Sequence, residues 1–471
     1  MIKNISTRLL LVGLVLTAIL FNSCGTDPDP EPAKAVKAYD SKVMQQWNNK
    51  YLEIERYAAG YRPGPAPRSL AYIGLACYEA CVAGMPEYNS VKGYYTGLSI
   101  PEPALNATYH YPTVVNAAYS FMMQQFFTVV PSINITQLSG IATLRDKINT
   151  DYSKELLAKN PEGGKKIFDD SKAYGEAVAR AVYEWSKTDA VAHDHHLDPF
   201  KDNVGKYKPA AVPGAWVATI PGPAKPMFPD WGYARTFAIG ESDKLCKKPM
   251  PFSEKTNSLF YAQGAQVRAA VNEATAEDRH IAFFWSDDLM NLTFSPGPRL
   301  IAVANQIYAK ENSNLDIALY ANAKVGMAIN DAAVACWFSK YTYNLERPES
   351  YIKRVIDPTW EPMLYNPLTG DKGFTPPFPA YPSGHSTMAG AGAAILEDVF
   401  GSHYAFTDYC HQGRNDFEGS APRSYGSFEE MGQEDAISRI PLGVHFEIDC
   451  TEGVALGKRC ARKVNALDWK K

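Results

Sequence analysis

Features that mark several protein classes are scarce or missing in this sequence. The 471 residues carry a formal net charge of -4 at pH 7. The sequence therefore lacks the excess of positive charge that is typical of nucleic-acid-binding proteins. Eight cysteines are present, and the seven that remain without Cys24 are an odd number with no Cys-x-x-Cys pair, so neither a zinc knuckle nor a full disulfide framework is indicated. The sequence leaves open a disulfide bond that involves Cys410, Cys450 or Cys460. After residue 34 no linker rich in proline, glycine or serine divides the chain, which favours one large domain or two closely packed halves.

The N-terminus has the pattern of an export signal. Basic residues precede an apolar run at 9–21, which is too short to span a bilayer and is typical of a signal-peptide core. Residues 21–24, Phe-Asn-Ser-Cys, resemble a bacterial lipoprotein box in a loose form, and this resemblance implies that Cys24 carries a lipid. The alternative is an ordinary first helix with a stray cysteine.

These segments predict a division of the chain. We expect residues 1–24 to be a lipoprotein signal peptide that ends at Cys24, residues 25–36 to be a flexible, acidic, proline-rich tether, and residues 37–471 to form the folded domain. We therefore expect an exported protein that is lipid-anchored to a bacterial outer membrane, on its periplasmic or surface side.

The folded part has the pattern of helices separated by long irregular loops, without a series of alternating strands. Apolar residues recur at intervals of three and four. The predicted helices cover residues 70–81, 114–129, 166–187, 255–274 and 329–340. Pro63, Pro65 and Pro67 predict an extended entry into the first helix. The loop at 200–243, rich in proline, glycine and aromatic residues, is expected to cover or line a site.

One histidine cluster has the composition of a metal site without its spacing. His193, His195 and His196 lie beside Asp194 and Asp198. No helical ligand pair or Cys-x-x-Cys follows to make the pattern specific. We interpret the cluster as solvated or as an anchor for its loop.

Residues 379–387, Pro-Ala-Tyr-Pro-Ser-Gly-His-Ser-Thr, predict the start of a helix. Ser383 is a favourable N-cap directly after Pro382, and small and apolar residues follow at helical spacing. Free N–H groups and the positive end of the helix dipole would then meet the Ser383 hydroxyl and the His385 imidazole. This arrangement suits a phosphate-like oxyanion, although a plain capped helix with a surface histidine is the alternative.

A second stretch places two cations close together. Lys340 continues the core-facing stripe that runs from Ile329 to Trp337, so it must either find a partner or extend to solvent, the commoner outcome at a helix end. Arg347 follows about two helical turns later and is expected on the same side, before Pro348 ends the helix. Two cations on one face repel each other unless an anion bridges them.

A third stretch, residues 438–449, supplies a histidine and a carboxylate. His445 and Asp449 are four residues apart, so in a helix their side chains would meet, and the carboxylate would fix the imidazole tautomer and raise its basicity. The same spacing is common on surface helices. Arg439, set off by Pro441, would supply another cation from the preceding loop.

Together the three stretches resemble the signature of the superfamily of type 2 phosphatidic acid phosphatases and vanadium-dependent haloperoxidases. Its pattern is Lys, six residues, Arg-Pro; then Pro-Ser-Gly-His; then Ser-Arg, five residues, His, three residues, Asp. This chain meets every position in order, with Lys340, Arg347-Pro348, Pro382-Ser383-Gly384-His385, Ser438-Arg439, His445 and Asp449.

The resemblance covers residues 37–464, with the core motifs within 325–464, and it points to the haloperoxidase-like branch. That branch carries stretches similar to residues 213–216, 230–232, 284–298, 337 and 378–381. Two features depart from it: Glu346, where an aromatic residue is common, and the compact loop expected at 401–437. Both departures concern the halide and the organic substrate, and neither concerns oxyanion binding.

The resemblance implies an all-α fold of two four-helix-bundle halves with long irregular loops, and an oxyanion site between helices of the second half. Lys340, Arg347 and Arg439 would clamp the oxyanion, while Ser383 and the Gly384 N–H would add hydrogen bonds. The oligomeric state does not follow from it.

Two activities on small molecules are compatible with this site. In a phosphatase that needs no cofactor, His445 would attack a phosphate monoester, Asp449 would hold the His445 ring, and His385 would protonate the leaving alkoxide.

A glycan-binding surface lipoprotein is the non-enzymatic alternative.

In a haloperoxidase the cofactor would be vanadate, with His445 as its ligand. Lys340 would then polarise hydrogen peroxide, His385 would take its proton, and halide would be oxidised near Phe378 and Trp337. The similarity along the whole chain makes the haloperoxidase the favoured interpretation.

Overall fold

The fold is built almost entirely from α-helices. The computed structural model describes residues 35–202, 205–208, 211–219, 225–373 and 375–471. Within these ranges there are thirteen α-helices, α1 to α13, and one antiparallel pair of short strands. The predicted all-α class is therefore confirmed. The proposed signal peptide, Cys24 and the tether up to residue 34 lie outside the described residues.

The first helical group surrounds α2. Its members are α1 (Lys42–Glu55), α2 (Pro65–Cys81), α3 (Tyr111–Thr128), α4 (Ile135–Lys159) and α5 (Gly164–Lys187). Helix α2 is buried along its whole length and packs against α3 and α5, and α4 packs against α3 and α5. The extended entry predicted from Pro65 and Pro67 is wrong, because both residues lie in the first turn of α2. Proline is tolerated there since N–H groups of a first turn have no intrahelical acceptor.

The second group surrounds α11. Its helices are α6 (Leu259–Asn272), α7 (Ala276–Phe284), α8 (Pro296–Glu311), α9 (Leu315–Tyr343), α10 (Pro348–Val355), α11 (Gly384–Phe400), α12 (Phe428–Ser438) and α13 (Glu447–Asn465). Helix α11 packs against α8, α9, α12 and α13, while α9 also packs against α2 of the first group. Helix α9 therefore packs against the central helix of each group.

The segment at 401–437 is more structured than the compact loop expected from the sequence. It contains β1 (Phe406–Asp408), β2 (Arg423–Tyr425) and most of α12. The two strands pair in register, with Phe406 opposite Tyr425, and Phe406 packs against Phe428 at the start of α12. Burial of these aromatic rings explains the regular structure, since isolated short strands are marginally stable.

Helices α11 and α13 approach each other closely because glycines face the contact. A Cβ added to Gly457 would lie 2.0 Å from the carbonyl oxygen of Thr387, and one added to Gly390 would lie 2.6 Å from that of Val454. Neither position can carry a side chain without moving the backbone. The N-termini of the two helices are consequently held side by side.

Two further observations concern cysteines and membranes. All seven cysteines from Cys77 to Cys460 are free thiols, so a bridge at Cys410, Cys450 or Cys460 is not formed. In the part of the chain that the structure describes, no helix combines the length and apolar character needed to cross a membrane.

Candidate active site

The helix start predicted at Ser383 is confirmed. Ser383 is the N-cap of α11, and its hydroxyl oxygen accepts the Ser386 N–H at 3.3 Å. Gly384 and His385 are the first two residues of the helix, where backbone N–H groups have no intrahelical acceptor. Their N–H groups and the helix dipole can therefore act on an anion. Gly384 and the His385 ring line a cavity of about 740 Å³.

His445 and Asp449 meet across the start of α13. His445 precedes the helix, Asp449 is its third residue, and His445 Nδ1 lies 3.0 Å from Asp449 Oδ2. The same carboxylate oxygen accepts the Phe446 N–H at 3.0 Å. Because the carboxylate accepts a hydrogen bond at Nδ1, the neutral His445 ring carries its proton on Nδ1 and has a lone pair on Nε2. The predicted contact forms, although His445 lies outside the helix.

Lys340 and Arg347 belong to different helices. The expectation that both lie on one helix ended by Pro348 is wrong. After Lys340, α9 ends and Asn344 adopts a left-handed conformation with φ 50°, so the chain turns, and Pro348 becomes the first residue of α10 with Arg347 as its N-cap. The two cations still converge, because Lys340 Nζ and Arg347 Cζ lie 5.1 and 4.9 Å from the centroid of the Phe378 ring.

Backbone carbonyls hold the ammonium of Lys340 inside the protein. Lys340 is fully buried and donates to the carbonyl oxygens of Pro379 and Ala380, both at 2.8 Å, so its side chain does not extend to solvent. The third ammonium proton remains for another acceptor. Burial lowers the pKa of Lys340 to about 7, which makes a bound anion the natural partner of its charged form.

The guanidinium of Arg347 is fixed in the same way. Its Nε donates to the Phe378 carbonyl at 3.0 Å and its Nη1 to the Val444 carbonyl at 2.9 Å, and Nη1 also lies 3.3 Å from His445 Nε2. Burial lowers the pKa of Arg347 to about 10. Arg347 therefore joins the loop before α11 to the loop before α13 and contacts Nε2 of His445.

Arg439 pairs with a carboxylate that sequence reasoning missed. Arg439 ends α12, and its Nη2 donates to Asp288 Oδ2 at 2.6 Å. The other oxygen of Asp288 lies 3.9 Å from His385 Nε2. Burial raises the pKa of Asp288, but Arg439 and His385 outweigh this effect and hold the pKa below its usual value. The signal available in the sequence was the Asp287-Asp288 pair inside the haloperoxidase-like stretch 284–298.

A buried network of ion pairs holds the segment that carries Asp288, through its neighbour Asp287. Arg299 of α8 lies within 3.5 Å of Asp287 and 3.0 Å of Asp408, and His411 lies 3.4 Å from Asp287. All four side chains are buried. The network ties the Asp287-Asp288 segment to α8 and β1, which fixes the carboxylate that orients Arg439.

Both histidines are neutral near pH 7 in the absence of an anion. Burial, with Arg439 adding to it, lowers the pKa of His385 to about 3. Burial and the nearby Arg347 and Lys340 lower the pKa of His445 far below its usual value. Burial also raises the pKa of Asp449, and Lys340 opposes this. A neutral His445 can offer its Nε2 lone pair, while a neutral His385 can accept a proton.

The donors around these histidines fit an oxyanion. Within the described residues, Arg347 Nη2, Arg439 Nε and His385 Nε2 are buried nitrogens without a hydrogen-bond partner. Unpaired buried donors are costly, and two of these three carry permanent charge. With the Gly384 N–H and Lys340, the two arginines form a donor set for vanadate or phosphate, and His385 is the neutral imidazole beside it. We call this group, together with Ser383 and His445, the oxyanion pocket.

The cavity above the oxyanion pocket is mainly apolar. Its wall contains Trp337 and Phe378, whose ring centroids lie 4.9 Å apart. The loop expected to line a site contributes Phe200 and Met227. Glu346 does not line it and instead pairs with Arg354 at 2.6 Å. A larger groove of about 1170 Å³ between α1, α8 and the strand pair contains none of the predicted site residues.

The histidine cluster does not form a metal site. Among the described residues, no group of three or more His, Cys, Asp or Glu side chains is placed to hold a metal ion. His195 is buried, and its Nε2 lies 2.9 Å from the Lys201 carbonyl oxygen. His195 therefore anchors its loop, as interpreted from the sequence, and His196 lines the cavity.

Comparisons with known proteins agree with this geometry. A family model described as the VCPO second helical-bundle domain matches residues 321–468, which include all three motifs. The vanadium chloroperoxidase of Curvularia inaequalis is 25% identical over 87% of this chain and 79% of its own length. The structure of a bacterial vanadium-dependent iodoperoxidase covers 92% of this chain and 98% of its own, with a TM-score of 0.76 and 29% identity.

The chain is similar to the vanadium haloperoxidase superfamily in its three motifs, in its fold and along most of its length. A bacterial vanadium-dependent chloroperoxidase shares the fold, with a TM-score of 0.58 and 14% identity over 93% of this chain and 99% of the other. The vanadium-dependent bromoperoxidase of Ascophyllum nodosum is 30% identical over 18% of this chain and 16% of its own length. The similarity to haloperoxidases thus spans both helical groups, and it does not favour the phosphatase.

Proposed function

We propose that this protein is a vanadium-dependent haloperoxidase that uses hydrogen peroxide to oxidise bromide or iodide. The observation that carries the proposal is the donor set of the oxyanion pocket: unpaired nitrogens of Arg347 and Arg439 beside two neutral histidines at the base of an apolar cavity. Similarity to haloperoxidases along nearly the whole chain supports vanadate as the oxyanion.

Specific residues would hold vanadate. His445 Nε2 would be the ligand, and Asp449 would keep the His445 ring oriented through the contact at Nδ1. Charge-assisted hydrogen bonds would come from Lys340, Arg347 and Arg439, with further bonds from the Ser383 hydroxyl and the Gly384 N–H. When bound, vanadate supplies the activation of hydrogen peroxide toward halide.

The residues of the chain would manage protons and water. His385 is neutral and lines the cavity, so it can take a proton from hydrogen peroxide. Asp288 lies close enough to stabilise the resulting imidazolium. Lys340 has one proton left to donate toward an oxygen in the pocket. Trp337 and Phe378 form an apolar wall that keeps water away from the halide.

A side-by-side assay tests the proposal. Purified protein is incubated with vanadate, hydrogen peroxide and either bromide or iodide, and halogenation of a dye or formation of triiodide is followed. The same preparation is tested for hydrolysis of p-nitrophenyl phosphate. We expect halide oxidation that depends on vanadate and is lost in His445→Ala. Absence of halide oxidation together with phosphate-ester hydrolysis that vanadate inhibits would instead support the phosphatase.

A further inference from the structure

Three methionines border the cavity in which halide would be oxidised. They are Met227 on the loop before α6, Met290 on the loop before α8, and Met388 on α11. Their exposure differs: Met290 is 41% exposed, Met227 is half-buried, and Met388 is 1% exposed. Met227 and Met290 therefore border the cavity and also have surface that is exposed to solvent.

These thioethers are the softest accessible nucleophiles of the cavity wall. None of the seven described cysteines lines the cavity. The thiol of Cys336, next to Trp337 in sequence, is fully buried, and burial raises its pKa, which suppresses the reactive thiolate. Methionine is readily oxidised to the sulfoxide by strong two-electron oxidants. A hypohalous acid made at the base of this cavity would meet Met227 and Met290 on leaving.

We propose that Met227 and Met290 are the sites at which the enzyme is modified by its own product, as methionine sulfoxides. This proposal rests on the proposed function, because the oxidant is the hypohalous acid. The oxygen of the acid forms a bond to the thioether sulfur while the oxygen–halogen bond breaks. The halogen leaves as halide with the bonding electron pair, and the hydroxyl proton goes to water. Sulfur is oxidised by two electrons and the halogen is reduced by two.

The modification would make part of the apolar cavity wall polar. Met290 lies two residues after Asp288, which orients Arg439, and it lies on the exposed side of that segment. A sulfoxide adds a strong hydrogen-bond acceptor to an otherwise apolar wall. Met388 has its sulfur in the interior, near where a side chain on Gly297 would lie, so we expect it to remain unmodified.

The chain offers matched controls of intermediate exposure outside the cavity. Met250 and Met363 are both half-buried, and neither lines the cavity. An oxidant that arrives from bulk solution would modify methionines according to exposure alone. An oxidant that is made inside the cavity would favour Met227, which has the same exposure class, over these two, and would raise the share of sulfoxide at the more exposed Met290 above the share that an oxidant from bulk solution gives.

The test uses the full chain loaded with vanadate. The enzyme turns over hydrogen peroxide and bromide, or iodide, with excess monochlorodimedone to consume oxidant in bulk, and sulfoxide is quantified by peptide mass spectrometry. We expect about tenfold more sulfoxide at Met227 than at Met250 and Met363, and a ratio of Met290 sulfoxide to these two that is about tenfold higher during turnover than with reagent hypobromous acid. Two controls accompany it: peroxide and vanadate without halide, and reagent hypobromous acid added to resting enzyme, which should modify all four.

The outcomes separate this proposal from the proposed function. Consumption of monochlorodimedone or formation of triiodide reports halide oxidation independently of the methionines. Halide oxidation with equal sulfoxide at all four methionines, or with none at Met227 and Met290, overturns the proposal. The same sulfoxide level without halide also overturns it, because peroxide would then be the oxidant. Absence of halide oxidation with every halide refutes the proposed function.

Discussion

The carboxylate of Asp288 lies 2.6 Å from the guanidinium of Arg439, and both side chains border the cavity beside His385. Asp288 therefore serves two groups: it neutralises a buried cation, and it raises the proton affinity of a histidine that other influences lower. Neither residue is close to the other in sequence, and the contact exists only because the loop before α8 returns to the end of α12.

Substitution of Asp288 tests this relationship. In Asp288→Asn the volume is kept but the charge is lost, so the pKa of His385 should fall further and Arg439 should lose its orientation. We expect the rate of halide oxidation to fall about tenfold or more, with the fold retained by circular dichroism. A rate equal to that of the native protein would show that Asp288 has no part in the site. Asp40→Asn, on the exposed surface, is the control.

We propose different roles for His385 and His445, and substitution should separate them. In His385→Ala the proton acceptor is lost while His445 remains, so turnover should fall by about 10²–10⁴-fold and much of the vanadate affinity should persist. In His445→Ala the vanadate affinity itself should be lost. Vanadate binding is measured by calorimetry or by ⁵¹V NMR. Loss of all vanadate binding in His385→Ala would mean that the two roles are assigned incorrectly.

Oxyanion affinity should depend on pH through Lys340. Without an anion, burial lowers the pKa of Lys340 to about 7, and a bound anion would raise it by favouring the charged ammonium. Affinity should therefore be greatest below about pH 7 and fall as the pH rises above it, by up to about tenfold per pH unit. Vanadate itself also titrates, so the comparison is with Lys340→Arg, whose charge persists. Parallel pH profiles for the two proteins would contradict this assignment.

The network around Arg299 should contribute strongly to stability. In Arg299→Ala the buried carboxylates of Asp287 and Asp408 would lose their cation, at a cost of about 3–5 kcal/mol in the free energy of unfolding. Urea unfolding measures this change. Lys147→Ala, which breaks an exposed pair with Asp151, should change the free energy by less than about 0.5 kcal/mol. Equal effects of the two substitutions would argue against the role of the buried network.

Membrane attachment should depend on Cys24. We propose that a lipid on this residue anchors the protein to the outer membrane, so the expressed native chain should be recovered with membranes and released by detergent. Cys24→Ser should remove the lipid and move the protein to the fraction without membranes, with catalytic activity retained. Membrane recovery unchanged in Cys24→Ser would exclude this anchor. Protease treatment of intact cells distinguishes the surface side from the periplasmic side.

Several parts of the site follow from local sequence. The helix start at Ser383 depends on a cap and on neighbours within one turn, and the contact of His445 with Asp449 depends on a spacing of four residues. Lys340 sits on a stripe whose period is visible in the sequence, and it meets backbone carbonyls instead of solvent because the stripe is buried.

Other features could not be derived from neighbours in the chain. The left-handed turn at Asn344 moves Arg347 to another helix, and the pairing of β1 with β2 depends on rings that α12 buries. Asp288 carries no spacing that links it to Arg439. Each of these features arises from contacts between residues that are distant in sequence.

The sequence by itself determined which residues we propose for the chemistry, because the three motifs specify side chains, order and spacing. It also determined the helical class through its period of three to four residues. Only the tertiary structure decided that these side chains share one buried volume, since glycines hold α11 against α13 and carbonyls aim Lys340 and Arg347. It also placed Asp288, Met227 and Met290 along the cavity above the oxyanion pocket, because packing brings together loops that no local pattern connects.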